Sequence, residues 1–194
     1  TTLWITVLAL ILGIVLGVVV AVLRTTHDQQ RLGRHNPVLG VLNVICKIYV
    51  TIIRGTPMMV QLLIMGFIIF KSSREYTLVG TLTLGINSGA YVAEIVRGGL
   101  MSVDIGQSEA GRSLGLNYLD TMRFIVIPQA FKNILPALGN EFITLFKDTA
   151  LISAIGGKEL VYAAKSIGSK TYDVMYPYLG IAIIYLLMVM LFTW

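Results

Sequence analysis

The first 23 residues, "TTLWITVLALILGIVLGVVVAVL", contain no charged side chain. A bilayer core offers no hydrogen-bond partner. A crossing segment must therefore be a helix of roughly 17 to 25 apolar residues, or one strand of a closed barrel with alternating apolar and polar positions. This run is continuous rather than alternating, so it reads as a membrane-spanning helix. Its apolar core is too long for the middle of a signal peptide, and no basic segment precedes it, so it is expected to be a mature first span. With 56% hydrophobic and 13% charged residues over 194 positions, the whole chain reads as an all-α integral membrane protein.

Further apolar runs occupy residues 41–70, 78–93, 133–155 and 174–194. The second is interrupted by Arg54, Gly55, Thr56 and Pro57. Proline lacks an amide donor and crowds the residue before it, so this span should be long and broken. The count is five transmembrane helices in a single domain covering residues 1–194.

Arg24, Arg31 and Arg34 follow the first run and mark that loop as cytoplasmic. Five spans then place the N-terminus outside and the C-terminus in the cytoplasm. Arg112, Arg123 and Lys132 agree with this placement, whereas Lys158, Lys165 and Lys170 fall in an outer loop and oppose it.

A net charge of +5 serves orientation and contact with the lipid bilayer, and nucleic acid is not expected as a partner. Cys46 lies in an apolar run and reads as a small hydrophobe. His27 and His35, eight apart without a cysteine pair, do not make a zinc site, and no metal is expected. Met58, Met59, Met65 and Met101 read as flexible packing residues. No Ser/His/carboxylate or Cys/His arrangement points to catalysis. Gly156-Gly157-Lys158 lacks the glycine a phosphate loop needs at position 152, which is Ile152.

Between the third and fourth runs the chain turns polar: "GQSEAGRSLGLNYLDTMRFIVIPQA", residues 106–130. Leu114, Met122 and Ile125 alternate with Arg112, Asn117 and Asp120. Gly111 and Gly115 permit a turn or close approach, and Pro128 should limit the preceding helix. A short cytoplasmic helical hairpin is one reading. An amphipathic connector lying on the headgroups is the other.

Glu109-Ala110-Gly111, then Gly115, then Ile125, Ile127 and Pro128 resemble the "EAA, three residues, G, nine residues, I-x-L-P" loop of permeases in bacterial ATP-binding-cassette importers. Gly111 replaces the second alanine and Ile127 the leucine. The passages "IIRGTPMMVQLL", "NSGAYVAEIVRGG" and "PQAFKNILPALGNEFITLFKDTALIS" resemble the polar amino-acid group of that family, the histidine, glutamine and arginine type. The resemblance covers most of the chain.

It implies a type I importer permease fold, with five spans and a cytoplasmic coupling-helix loop at about residues 100–130. The implied partners are a second permease subunit, identical or homologous, two cytoplasmic ATP-binding subunits and an extracytoplasmic amino-acid-binding protein, in the bacterial cytoplasmic membrane. No cofactor is expected in this chain; ATP and Mg belong to the partner ATPase. Glu109, Ala110, Gly111 and Gly115 become the ATPase-coupling candidates.

Polar residues within apolar runs supply the substrate candidates, because charges in hydrocarbon are costly and should face a cavity or a partner. Asn87, Tyr91 and Glu94 share one helical face by their i, i+4, i+7 spacing. Asn87 and Tyr91 read equally as packing beside Gly85 and Gly89, and Glu94 as an ion-pair partner of Arg97 or Arg54. Glu141, Lys147, Asp148 and Ser153 follow on the fourth run. Acids suit an ammonium or cationic side chain, and Lys147 or Arg54 a carboxylate, which favours arginine, lysine or histidine and leaves glutamine and glutamate open. The same charges would serve an ion-coupled secondary carrier, or the assembly of a nontransporting scaffold. The polar hairpin favours the ATP-driven importer, since neither alternative needs a docking device.

Overall fold

The computed structural model describes residues 1–30 and 36–193; Arg31, Arg34 and His35 lie outside the described residues. The described chain is helical throughout. Helix α1 (Thr2–Gln30) is followed by α2 (Pro37–Gly55) and α3 (Met58–Ile64), the last extended by a π-helical turn Met65–Ile69. The break between α2 and α3 falls at the predicted place: Pro57 is extended, with φ −63° and ψ 136°.

Helix α4 (Tyr76–Met101) outruns its apolar stretch and carries Glu94, Arg97, Gly98 and Gly99 within it. Two short helices follow, α5 (Ile105–Ser113) and α6 (Tyr118–Thr121), then a π-helical turn Met122–Val126 and α7 (Ile127–Asp148). A 3-10 segment Thr149–Ile155 continues α7, and α8 (Leu160–Thr171) and α9 (Met175–Thr193) complete the chain. Three of these helices, α1, α2 and α9, are long and apolar enough to cross a membrane.

Two sequence expectations need correction. Pro128 does not limit the helix before it. The Ile127 amide donates to the Met122 carbonyl five residues back, so the ladder is already shifted by one residue where proline has no donor to offer. The stretch between the fourth and fifth runs, read as a loop, holds helix α8.

The described chain divides into two units. The first comprises Thr1–Gly13, Arg54–Ser88 and Phe142–Trp194. Its core is built from Ile5, Ala9, Leu62, Leu84, Leu145 and Ile152. Phe146, almost wholly buried, meets Tyr185 at 5.2 Å and Phe192 at 5.6 Å between ring centroids. Helix α9 contributes no buried residue.

The second unit comprises Ile14–Ile53 and Gly89–Glu141. Val50, Ala90 and Ala93 form its core with Val20, Tyr49 and Ile53 packed on them. Small residues allow the backbones to approach. A Cβ on Gly89 would stand 2.8 Å from the Tyr49 hydroxyl and 3.0 Å from Leu16 Cβ.

Candidate functional site

The polar passage folds as a helical hairpin in the second unit. Asp104 caps α5, accepting from the Gly106 amide at 2.6 Å, and Asn117 caps α6, accepting from the Asp120 amide at 2.9 Å. These residue types offer an oxygen to amides that have no partner in the first helical turn. The turn between them is a Schellman arrangement: the Leu116 amide donates to the Gly111 carbonyl, and the Gly115 amide to the Arg112 carbonyl. Gly115 sits at φ +83°, a backbone region that strains residues with a Cβ.

Of the four coupling candidates, Gly111 alone is buried, while Glu109, Ala110 and Gly115 are exposed. A Cβ on Gly111 would meet Ile125 Cδ1 at 2.9 Å and Thr121 Cγ2 at 3.1 Å. Its replacement of alanine is therefore a matter of close approach: α5 lies against α6 and the π turn through the position where a side chain is missing. Further hydrogen bonds brace the hairpin within its unit. Gln129 Nε2 donates to Gln107 Oε1 at 3.1 Å, and Asn133 Nδ2 to the Ser102 hydroxyl at 2.8 Å. Glu109, Ala110 and an 81% exposed Leu114 lie on the exposed side of this braced hairpin.

The substrate candidates divide between the units. In the second unit Tyr91 is on the exposed side of α4, and Glu94 accepts from Arg24 of α1. Arg97 lies 3.7 Å from Glu94 and 4.0 Å from Asp28. His27 and Asn43 make a further contact at 3.0 Å, linking α1 to α2. Sequence reasoning foresaw Arg97 beside Glu94 through their i, i+3 spacing. It missed Arg24, read only as an orientation signal, because 70 residues separate it from Glu94. Glu141 is half-buried on α7.

In the first unit Asn87 is buried and donates from Nδ2 to Gln61 Oε1 at 3.0 Å. Lys147 is exposed, Asp148 half-buried and Ser153 half-buried on the 3-10 segment. Lys165 Nζ of α8 reaches the Ser153 hydroxyl at 3.3 Å. Glu159, buried at the start of α8, accepts from the Val161 and Tyr162 amides at 2.7 Å each and from the Tyr185 hydroxyl at 3.4 Å. Burial pushes the Glu159 carboxyl up, against the pull of those two amides, Tyr185 and Lys165. No spacing rule pointed to Glu159, whose importance comes from a cap and a partner 26 residues away.

Among the described residues no group of three or more histidine, cysteine or acidic side chains could hold a metal ion.

Residues 36–194 match the family model of the binding-protein-dependent transport system inner membrane component. The arginine transport system permease protein ArtQ of Bacillus subtilis is 36% identical over 173 residues, covering 80% of this chain and 78% of that protein. The glutamine transport system permease protein GlnP of Escherichia coli is 32% identical over 157 residues, covering 79% and 72%. A solved amino acid ABC transporter with histidines superposes with a TM-score of 0.86 and 42% identity, over 99% of this chain and 86% of that one.

Proposed function

Since the chain belongs to the binding-protein-dependent transport system inner membrane component family and is a permease subunit of a bacterial ABC amino-acid importer, not itself an ATPase, we propose that it imports basic amino acids by alternating access. The observation that carries this reading is the braced hairpin with its exposed Glu109 and Ala110 face, a device for receiving force from another protein. ATP binding then acts as a ligand that favours one arrangement of the spans, and the hairpin carries that preference into the membrane.

The complex joins this chain to a second permease, two cytoplasmic ATP-binding subunits and an extracytoplasmic binding protein. Five spans, α1, the broken α2 and α3, α4, α7 and α9, run from an outer N-terminus to a cytoplasmic C-terminus in one permease domain, with coupling within residues 100–130. The bare apolar surface of α9 suits lipid or the second permease. Asp148 receives the cationic end of the substrate, and Ser153 and Asn87 offer it neutral hydrogen bonds. The likeness to ArtQ and to a transporter with histidines supports a basic substrate; the likeness to GlnP makes glutamine the competitor to test.

Uptake of labelled arginine, histidine, lysine and glutamine into proteoliposomes holding the permease pair, its ATPases and internal ATP tests the reading. Arginine or histidine should compete best. Glu109→Lys should abolish ATP-driven uptake while the permease remains folded in the membrane. Uptake driven by an ion gradient without the ATPase would overturn the proposal, and glutamine as the strongest competitor would overturn its substrate assignment.

A further inference from the structure

Two adjoining cavities in the second unit share Thr25, Leu100 and Met122. The first, about 430 Å³, is an apolar slot walled by Ile14, Val18, Val22, Val96, Ile134 and Leu138. Along α1 it runs from residue 14 to residue 26, about 18 Å at the rise of an α-helix. That is close to the depth of one leaflet, half of a hydrocarbon core of roughly 30 Å. The slot is open on one side, where Val22 is 52% exposed.

The second cavity, about 480 Å³, lies beyond the last apolar turn of α1 and is polar in part: Thr25, Asp28, Arg97 and Ser108 line it with Val103 and Ile105. It holds both signs of charge. The Thr25 hydroxyl and Arg97 Nε are buried without a hydrogen-bond partner among the described residues. Both atoms are closed off from the cavity, so the groups that a ligand there can meet are the Arg97 guanidinium nitrogens and the Asp28 carboxylate, 4.0 Å apart.

A long apolar slot adjoining a small vestibule with a cation and an acid has the form of an amphiphile site. We propose that the slot and vestibule bind one phospholipid with a zwitterionic amino headgroup. An acyl chain fills the slot, the phosphate meets the Arg97 guanidinium, and the ammonium meets Asp28. A purely anionic head would leave Asp28 facing like charge, and an apolar helix from a partner would set apolar surface against Asp28 and Arg97. The choice of the cytoplasmic leaflet rests on the orientation proposed above; the binding itself does not. Because Ile105 and Ser108 belong to α5, the lipid head would form part of the bed on which the hairpin rests.

The assembled complex, incorporated in nanodiscs of phosphatidylethanolamine, phosphatidylcholine or phosphatidylglycerol, tests this by native mass spectrometry and by ATPase coupling to uptake. Retained lipid should be phosphatidylethanolamine, preferred about tenfold over the other two, roughly 1.4 kcal/mol. Val22→Trp, which fills the slot, should lose it, whereas Val41→Trp on α2 should not. Asp28→Asn should keep a lipid but lose the preference for the amino head, and Arg97→Gln should weaken retention. Equal retention of phosphatidylglycerol, retention unaffected by Val22→Trp, or crosslinking of a photoreactive residue at position 22 to the second permease would overturn the proposal. These outcomes are independent of which amino acid is transported.

Discussion

Gly111 faces Ile125 so closely that an added Cβ would stand 2.9 Å from the isoleucine Cδ1. Ile125 belongs to the π turn ahead of α7, so this contact fastens the hairpin to the helix that carries Glu141, Lys147 and Asp148. The first prediction follows. Gly111→Ala should loosen the hairpin only slightly, because its Cβ crowds the yielding Ile125 tip and the buried Thr121 while alanine favours the helix by about 1 kcal/mol. Gly111→Leu should displace α5 and uncouple ATP hydrolysis from uptake. Comparing ATPase stimulation with uptake in reconstituted complexes checks it; full coupling in the leucine variant would remove the bracing role.

Gly115 demands something different, a left-handed backbone with open space around it. Gly115→Ala should cost about 1 to 2 kcal/mol from backbone strain alone. Because no steric contact is involved, alanine and larger residues should lower hairpin stability by similar amounts. Hydrogen exchange across residues 105–121 reports this directly. A graded loss with side-chain size would show that space, not φ, is limiting.

Glu94 is held by Arg24 and Arg97 in the second unit. A partly buried ion pair broken on one side leaves the remaining charges less compensated, which destabilises the fold. Glu94→Gln should therefore lower thermal stability in detergent, with any change in substrate KM secondary. If KM rises with the melting temperature unchanged, Glu94 touches substrate and the structural reading fails.

Asp148 is the acid expected to receive a cationic substrate. Asp148→Asn should raise the KM for arginine by about tenfold or more, about 1.4 kcal/mol, and leave glutamine nearly unaffected. Uptake competition measures both in one assay. Parallel losses for the two substrates would assign Asp148 to packing.

Glu159 has its carboxyl pKa raised in the folded state, chiefly by burial. A raised folded pKa means that its favourable contribution is complete below the ordinary glutamate value and is lost as pH rises through the raised one. Glu159→Gln keeps an oxygen for the α8 amides and removes the titration. The native protein should therefore lose thermal stability relative to Glu159→Gln as pH rises from acidic toward neutral. Parallel melting curves across that range would contradict the sign.

Local signals made much of this chain legible. The charge-free start, the proline break after Arg54 and the glycine in the polar passage each act through neighbours in sequence, so α1, the α2 and α3 interruption and the hairpin turn were readable without coordinates. The motif residues Glu109, Ala110 and Gly115 came instead from the family resemblance, and their coupling role belongs to the proposed function. Pro128 was misread because its usual effect assumes an α-helical ladder; the π turn before it removes the demand for a hydrogen bond.

What the sequence by itself determined is the membrane setting, the long first helix and the break after Arg54, since hydropathy and backbone chemistry operate residue by residue. What only the tertiary structure decided is partnership: Arg24 with Glu94 across 70 residues, Gln61 with Asn87 across 26, and Gly111 against Ile125. Helix periodicity fixes which residues share a face. It cannot say which distant face arrives opposite, because that depends on packing and desolvation across the whole fold.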